Sequence, residues 1–449
     1  MIHKLFEFQK EDVAKLRKTY NRLIANEMGT GKTYEAIALD YCSRLPDSAS
    51  AITTNGKTLV IAPLSTLDAT WRKHFEELTN LQVCVINPKK RKELEKAFDS
   101  DDFDVMIVHW DALRLADMQW IQATRWQHII ADEVHKVKNR KTKTAKALKR
   151  IPATFKTGLT GTPVLNKPDD IWSILNWLYP QFFRSYWKFR KKFVLEEVDY
   201  WGYTKILGCK NEDELMDILR PFYIRRLKSE VLKDLPPKYY TTLEVTLGSK
   251  QISAYRQMKK EMIAWLDQQD VLVAPVVITQ LLRLQQLAIA YSDGEKMTEP
   301  STKLDALMTL IVDNPGKRFV IFSCFKQALY LLEARLTAAS IEYVRLTGDD
   351  SPPARHTSVT RFQNGEVPIF LGTIAAGSEG INLTAANTVV FLDRDWTPAR
   401  NSQAEDRLHR IGQDNAVQVL DIIAKGTVDL YKDRKLSMKK YYIKKMLQD

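Results

Sequence analysis

Asn26–Thr33 reads NEMGTGKT, after the apolar Leu23–Ala25 and before the helix-compatible YEAIALDY. Gly29 and Gly31, with Thr30 between them, let backbone N–H groups turn toward a phosphate, and a following helix N-terminus adds partial positive charge. Lys32 can then reach the outer phosphate oxygens, and the Thr33 hydroxyl can ligate Mg²⁺. The general pattern GxxxxGK[ST] has glycine first, where Asn26 stands, so alone the stretch also reads as a simple glycine turn. Asp132–His135 reads DEVH directly after the apolar HIIA. At the carboxyl end of a parallel strand, Asp132 is suited to hold Mg²⁺ through water and Glu133 to polarise an attacking water, as in-line phosphoryl transfer requires. Without the glycine loop, that pair would equally cap a helix. Asp406–Gln413 reads DRLHRIGQ. On one helix face, Arg407 and Arg410 could converge on a γ-phosphate, although the spacing also fits a surface salt-bridge helix.

Such side chains need a scaffold, and the apolar runs supply one. Thr58–Ala62, Val105–Val108, His128–Ala131, Phe319–Phe322, Ile369–Gly372 and Val389–Leu392 are strand-like, each followed by a turn and a helix-period stretch. This alternation predicts α/β architecture with parallel sheets wrapped by helices. The runs fall before about residue 165 and after about 318, with helix-like, aromatic and charged sequence between them. The two prolines of KDLPPK, Lys233–Lys238, cannot continue a helix, which places a lobe boundary there. The expected organisation is lobe 1 over 1–236, with a helical protrusion at about 167–220, and lobe 2 over 237–449, with a helical insertion at about 248–300 ending in the loop SDGEKMTEPS.

Composition bounds the rest. The chain has 449 residues, 45% hydrophobic and 27% charged, with a formal net charge of +12, which favours a polyanionic partner without identifying one. Cys42, Cys84, Cys209 and Cys324 have no CxxC spacing, so a reduced, metal-free interior is expected. No run of eighteen apolar residues is present and the N-terminus MIHKLFEFQKEDV is soon charged, predicting a soluble cytoplasmic protein without membrane association. Lys136–Arg150 carries eight basic residues and no acid, offering sequence-independent attraction for phosphates or a solvated helix. In Arg184–Lys192, five basic residues interleave with Tyr186, Trp187 and Phe189, and packing is the better reading of these aromatics than base stacking. Lys432–Lys445 is a further basic stretch, a helix or a tail.

The series of motifs closely resembles the Swi/Snf-type branch of the superfamily two helicase-like ATPases over nearly the whole chain. FQKEDV looks like the Q motif, NEMGTGKT like motif I, VIAPLSTLDATW like motif Ia, DEVHKVKN like motif II and LTGTPVLN like motif III. RPFYIRRLKSEVLKDLPPK, Arg220–Lys238, resembles the segment that sets this branch apart. FVIFSCF, GTIAAGSEGINLTAAN and DWTPARNSQAEDRLHRIGQ look like motifs IV, V and VI. Asn26 replaces an acidic residue usual in the branch, and Thr397 and TIAAGSEG resemble the small, annealing-type members.

The resemblance implies two RecA-like lobes with an ATP cleft between them. It gives adenine contact to Gln9, phosphate cradling to Gly29, Thr30, Gly31 and Lys32, Mg²⁺ to Thr33 and Asp132, catalysis to Lys32 and the base Glu133, and arginine fingers to Arg407 and Arg410. Thr160 and Thr162 would couple the nucleotide site to nucleic acid. Ser65, Lys136, Lys138, Arg140, Lys141, Ser323 and Thr373 would contact DNA. The implied activity is DNA-stimulated ATP hydrolysis driving movement along double-stranded DNA without sequence specificity. A strand-separating DNA or RNA helicase is the alternative. An inactive scaffold would have lost Lys32, Glu133, Arg407 or Arg410, and all four are present. With both lobes and their insertions allotted, the chain reads as a minimal motor, suited to a bacterial or viral source.

Overall fold

The computed structural model describes residues 2–44, 56–86, 103–115, 118–161, 168–198, 204–267, 274–293, 295–377 and 380–430. The chain forms two compact units, Met1–Lys233 and Asp234–Asp449, dividing inside KDLPPK.

In the first unit the strands are β1 (Asn21–Ile24), β2 (Thr58–Ala62), β3 (Val83–Val85), β4 (Val105–His109), β5 (Trp126–Ala131) and β6 (Ala153–Leu159), then β7 (Val194–Val198), β8 (Thr204–Cys209) and β9 (Tyr223–Ile224). Seven of them form one sheet in the order β3-β4-β2-β5-β6-β1-β9, parallel throughout. Successive side chains of a strand face opposite sides, so in β2 Leu59 and Ile61 enter one apolar cluster while Val60 and Ala62 enter another. Burial on both faces is why these strands read as unbroken apolar runs. Helix α1 (Glu7–Leu16) turns Phe8, Val13 and Leu16 inward, and α2 (Lys32–Ser43) follows the glycine loop.

The second unit begins with β10 (Lys238–Val245) and continues through β11 (Tyr291–Ser292), β12 (Met297–Thr298), β13 (Phe319–Ser323), β14 (Tyr343–Leu346), β15 (Ile369–Thr373), β16 (Thr388–Phe391) and β17 (Val417–Ala424). Its six-stranded sheet has the order β10-β17-β16-β13-β15-β14, again parallel. In β13 the same partition recurs, with Phe319 and Ile321 in one cluster and Val320 and Phe322 in the other.

Two expectations are corrected. The protrusion is not wholly helical: among helices Trp172–Leu178, Tyr186–Phe193 and Glu212–Leu219 sits the antiparallel hairpin β7–β8, whose Glu196 accepts a 2.7 Å hydrogen bond from Arg190. SDGEKMTEPS is likewise not plain loop. Tyr291 pairs with Thr298 and Ser292 with Met297, because the Asp293 carboxylate accepts from the N–H groups of Glu295 and Lys296 and turns the chain back. The insertion before it is helical, Ser249–Asp267 and Ala274–Ile289. Among the described residues, no helix is long and apolar enough to cross a membrane.

Candidate active site

The phosphate loop leaves the carboxyl end of β1, and DEVH leaves that of β5, with β6 between them in the sheet. Gly29 and Gly31 take positive φ angles of 81° and 83°, which a side chain would strain. A Cβ on Gly31 would also lie 2.5 Å from Gln9 Nε2. Gln9 is almost completely buried, donates to Thr30 O at 2.9 Å and accepts from Phe6 N at 3.0 Å, so its amide braces the loop. Thr30 is buried with its hydroxyl on Glu27 O, and the partly buried Thr33 sits in the first turn of α2. Lys32 lies back along the loop, donating to Asn26 O at 2.8 Å and Glu27 O at 3.1 Å.

Asn26 is where the chain departs from the usual acidic residue, and the structure gives the reason. Its amide donates to Asp12 Oδ2 at 3.1 Å and to both Glu35 oxygens at 3.0 and 3.1 Å. A third carboxylate there would meet two others in the interior. Burial raises the Glu35 pKa to about 8, Asp12 pushes the same way, and Lys32, the Asn26 amide and Arg226 oppose. Arg226 Nη2 lies 2.8 Å from Asp12 Oδ1, Arg225 donates to Ala25 O, and Lys228 N donates to Glu27 at 2.8 Å. Thus the RRLK of Arg220–Lys238 closes over the strand that feeds the loop.

Asp132 Oδ2 accepts from the indole of the fully buried Trp71 at 3.0 Å, and Oδ1 from Glu133 N at 2.9 Å. Burial raises its pKa to about 6 and Glu133 adds to this, while Trp71 and the charge of Lys32 act in the opposite sense. The loop lysine and the DEVH carboxylate are therefore within electrostatic reach, as phosphate and cation chemistry at one centre requires. Glu133 adopts the left-handed conformation, φ 51° and ψ 48°, uncommon for a non-glycine residue. Its Oε2 lies 3.1 Å from His135 Nδ1, and that nitrogen lies 3.3 Å from Thr160 Oγ1. His135 thereby joins Glu133 to the segment after β6. Thr162 lies outside the described residues, as does Lys432–Lys445.

In the second unit, DRLHRIGQ does not form the expected helix. The helix Pro398–Glu405 stops, and Asp406–Gly412 continues as turns, so Arg407 and Arg410 do not share a helix face. The cause is a set of long-range bonds that take hold at the stop. Glu405 accepts from Arg394 Nη1 at 2.6 Å and Tyr240 Oη at 3.0 Å, Lys238 Nζ lies 3.0 Å from Asp406 Oδ1, and His409 Nε2 lies 2.7 Å from Pro236 O. Arg394 also makes a two-pronged pair with Asp421 at 2.6 and 2.9 Å. Arg407 is largely buried, and Arg410 reaches Ile381 O at 3.3 Å.

The residues expected to touch DNA divide by exposure. Lys136 and Lys141 are exposed, whereas Lys138 pairs with Asp170 at 3.5 Å and the Arg140 guanidinium lies 4.2 Å from the Tyr186 ring centre. Ser323 is enclosed, its hydroxyl donating to Asp393 Oδ1 at 2.6 Å, and Thr373 is buried too. These two hydroxyls are therefore internal, since each ends an inner strand of the six-stranded sheet. Ser65 is partly buried with its hydroxyl enclosed. In the aromatic stretch, Phe189 and Phe193 pack in the core and Tyr186 donates to Asp169 at 2.6 Å, but Trp187 is 66% exposed. Trp71, His135, Glu35, Arg394 and Lys238 had been given no role from the sequence. Trp71, His135 and Lys238 lie within quoted motifs; Lys238 takes its meaning from partners distant in the chain, and Glu35 from Asn26 and Asp12 on the segments before it.

A family model described as the SNF2-related domain matches residues 8–291, and one described as the helicase conserved C-terminal domain matches 302–412. An uncharacterized ATP-dependent helicase of Mycoplasma pneumoniae is 31% identical over 439 residues, covering 95% of this chain and 41% of that protein. The SWI/SNF chromatin-remodeling complex subunit snf22 of Schizosaccharomyces pombe is 30% identical, over 91% of this chain and 26% of its own length. The chain thus spans less than half the length of these relatives. A solved Sulfolobus solfataricus SWI2/SNF2 ATPase core in complex with dsDNA is 28% identical, covering 99% of this chain and 92% of that one, with a TM-score of 0.46.

Proposed function

The chain belongs to the SNF2-related domain family, and from that premise we propose that it is a DNA-stimulated ATPase that converts hydrolysis into movement along double-stranded DNA. The observation that carries the reading is the meeting of the Lys32 loop with Asp132 and Glu133 at the carboxyl ends of one parallel sheet, close enough for Lys32 to act on the Asp132 charge. Lys32 and the N–H groups of the loop bind the nucleotide phosphates. Glu133, held in an uncommon backbone conformation and fixed on its far side by His135, orients the attacking water and receives its proton.

The residues present fit Mg²⁺. Among the described residues, no cluster of three His, Cys, Asp or Glu could hold a metal alone. A nucleotide-borne Mg²⁺ needs only one or two carboxylates besides the phosphates, and the Asp132 carboxylate, disfavoured by burial and by Glu133, gains from a neighbouring cation. Asp132 and Thr33 would hold the ion, which neutralises charge on the phosphates. Arg407 and Arg410 answer the charge that develops on the transferred group. The exposed Lys136 and Lys141, and the further cations of Lys136–Arg150, suit backbone contacts that ignore sequence, as a moving partner demands.

Steady-state ATPase rates with no nucleic acid, duplex, single-stranded DNA, forked DNA and RNA, each at two salt concentrations, test the proposal. Stimulation by duplex, weakening with salt, is expected. Stimulation by single strands or RNA alone would replace this reading with a strand-separating helicase.

A further inference from the structure

We infer that Lys238 is a positioning residue for the arginine-bearing segment, and that with His409 it fastens the exit of the linker between the lobes to the residues that carry Arg407. The inference rests on the reading of Arg407 as a group that acts on the transferred phosphate.

The geometry lies wholly within the second unit. Pro236, Pro237 and Lys238 are three consecutive residues, and each meets the segment around the arginines or the strand following it. Pro236 O lies 2.7 Å from His409 Nε2, Pro237 O accepts from Val417 N at 3.0 Å, and Lys238 Nζ lies 3.0 Å from Asp406 Oδ1 and 3.3 Å from Glu405 Oε2. Asp406 is one peptide bond from Arg407, and His409 is two residues beyond it. The two carboxylates are nearly inaccessible to water, with side chains 1% and 7% exposed. Burial works against the Lys238 charge, but Asp406 and Glu405 outweigh it and hold the ammonium firmly protonated. Glu405 is pinned from its other side by Arg394, itself clamped on Asp421 and lying 3.7 Å from the Phe391 ring centre.

A merely stabilising ion pair could sit anywhere in the fold. This one sits where the helix Pro398–Glu405 ends and the backbone passes into turns, with Arg407 N on Ala404 O at 3.2 Å and Arg407 O accepting from Leu383 N at 3.0 Å, so the pair adds a side-chain anchor beside Arg407. The linker reaching it contains two prolines, whose fixed φ makes the exit stiff. A shift of the linker therefore passes to Asp406 and the neighbouring guanidinium instead of dissipating in flexible chain. Reacting groups displaced by about 1 Å can lose roughly 10²-fold in rate, so a clamp of this kind lets the linker govern turnover without touching nucleotide.

The test uses the whole chain with saturating duplex DNA, a fluorescent ADP and aluminium fluoride as a mimic of the transferred group. Wild type is expected to bind this ADP more tightly once aluminium fluoride is added. Lys238→Ala should bind ADP alone unchanged, lose that tightening, and show kcat lowered about 10–100-fold with KM for ATP within about twofold. Lys238→Arg should restore most of the tightening. Since Lys238→Ala removes a buried partner, the double variant Pro236→Gly/Pro237→Gly provides a second arm that spares every ion pair; it should show the same kcat loss in a folded chain whose Tm falls only by the added freedom of the unfolded state. Full tightening and normal kcat in a folded Lys238→Ala chain, or normal kcat in the glycine pair, overturns the inference alone provided that Arg407→Ala has lost the tightening. Retained tightening in Arg407→Ala, or none in wild type, overturns it together with the function on which it rests.

Discussion

The phosphate loop and the arginine segment are both short and both charged, yet they are built in opposite ways. Asn26–Thr33 is placed by its neighbours: β1 delivers it, two glycines turn it, α2 receives it, and Lys32 bonds to carbonyls five and six residues away. Asp406–Gln413 has turn bonds of its own, such as Arg407 N to Ala404 O and Gln413 N to Arg410 O, but no strand delivers it and no helix receives it. Its helix ends before it, and it is anchored as well by Lys238, 168 residues from Asp406, and by Pro236, 173 residues from His409. Local construction makes a rigid receptor for phosphate. Long-range construction makes the arginines depend on the chain that enters the second unit.

The contrast can be broken most severely by chemistry. Lys32→Ala should lower ATP turnover by at least about 10²–10³-fold, the scale of removing one charge-stabilising donor, and Glu133→Gln should do so while sparing ATP binding. Stopped-flow turnover with a separate nucleotide-binding titration checks both, and retained turnover in Glu133→Gln would sink the base assignment. Next in size is Arg394→Ala, which strands Glu405 and Asp421 without their shared guanidinium. Loss of one partner of a buried pair costs about 3–5 kcal/mol, so urea unfolding of the whole chain should show the second unit weakened by that order while ADP binding survives. Equal weakening of both units would contradict the division of labour.

Asn26→Asp should destabilise the first unit by about 1–3 kcal/mol, because a donor is lost beside Asp12 and Glu35. Adding Glu35→Gln should restore most of it, a double-mutant cycle that ends the argument if the two effects simply add. The smallest effect is one of pH. With its folded pKa raised to about 8 from 4.5, Glu35 adds to stability fully below about pH 4.5, and that contribution is lost as pH rises through 8. Nucleotide-free wild type should therefore melt lower at pH 9 than at pH 6. Glu35→Gln should flatten the dependence, leaving its Tm above wild type at pH 9 by about 2–4 °C if the difference is near 1 kcal/mol. Parallel melting curves across that range would remove Glu35 as the source.

Legibility in the sequence follows the same division. Thr58–Ala62 stands as a strand just where its apolar run lies, and β13 and β15 each extend the expected run by one residue, because double-faced burial writes itself into consecutive side chains. The glycine loop and DEVH lie after strands β1 and β5, where the apolar runs before them pointed. The arginine helix was misread because Asp406–Gln413 has helical spacing, while the groups that stop it, Lys238, Arg394 and Pro236, lie elsewhere in the chain. The β7–β8 hairpin was missed for a related reason: aromatic helices surround it and the stretch reads as one with them. Ser323 looked available by its motif, and only the fold shows Asp393 waiting for its hydroxyl.

The pairing of β10 with β17 has a consequence for the birth of the molecule. These strands align over eight residues, from Lys238 beside Val417 to Val245 beside Ala424. On a ribosome adding roughly 5–20 residues per second, the 417 − 238 = 179 residues between the first partners take roughly 10–35 s to make. During that interval β10 has left the exit tunnel with its designated neighbour unmade, and Tyr239 and Tyr240 beside an open strand edge offer themselves to any passing chain. The second unit is thus a late closer in its own synthesis. A holding chaperone, or slow translation ahead of residue 417, would bear directly on how much of it reaches the native state.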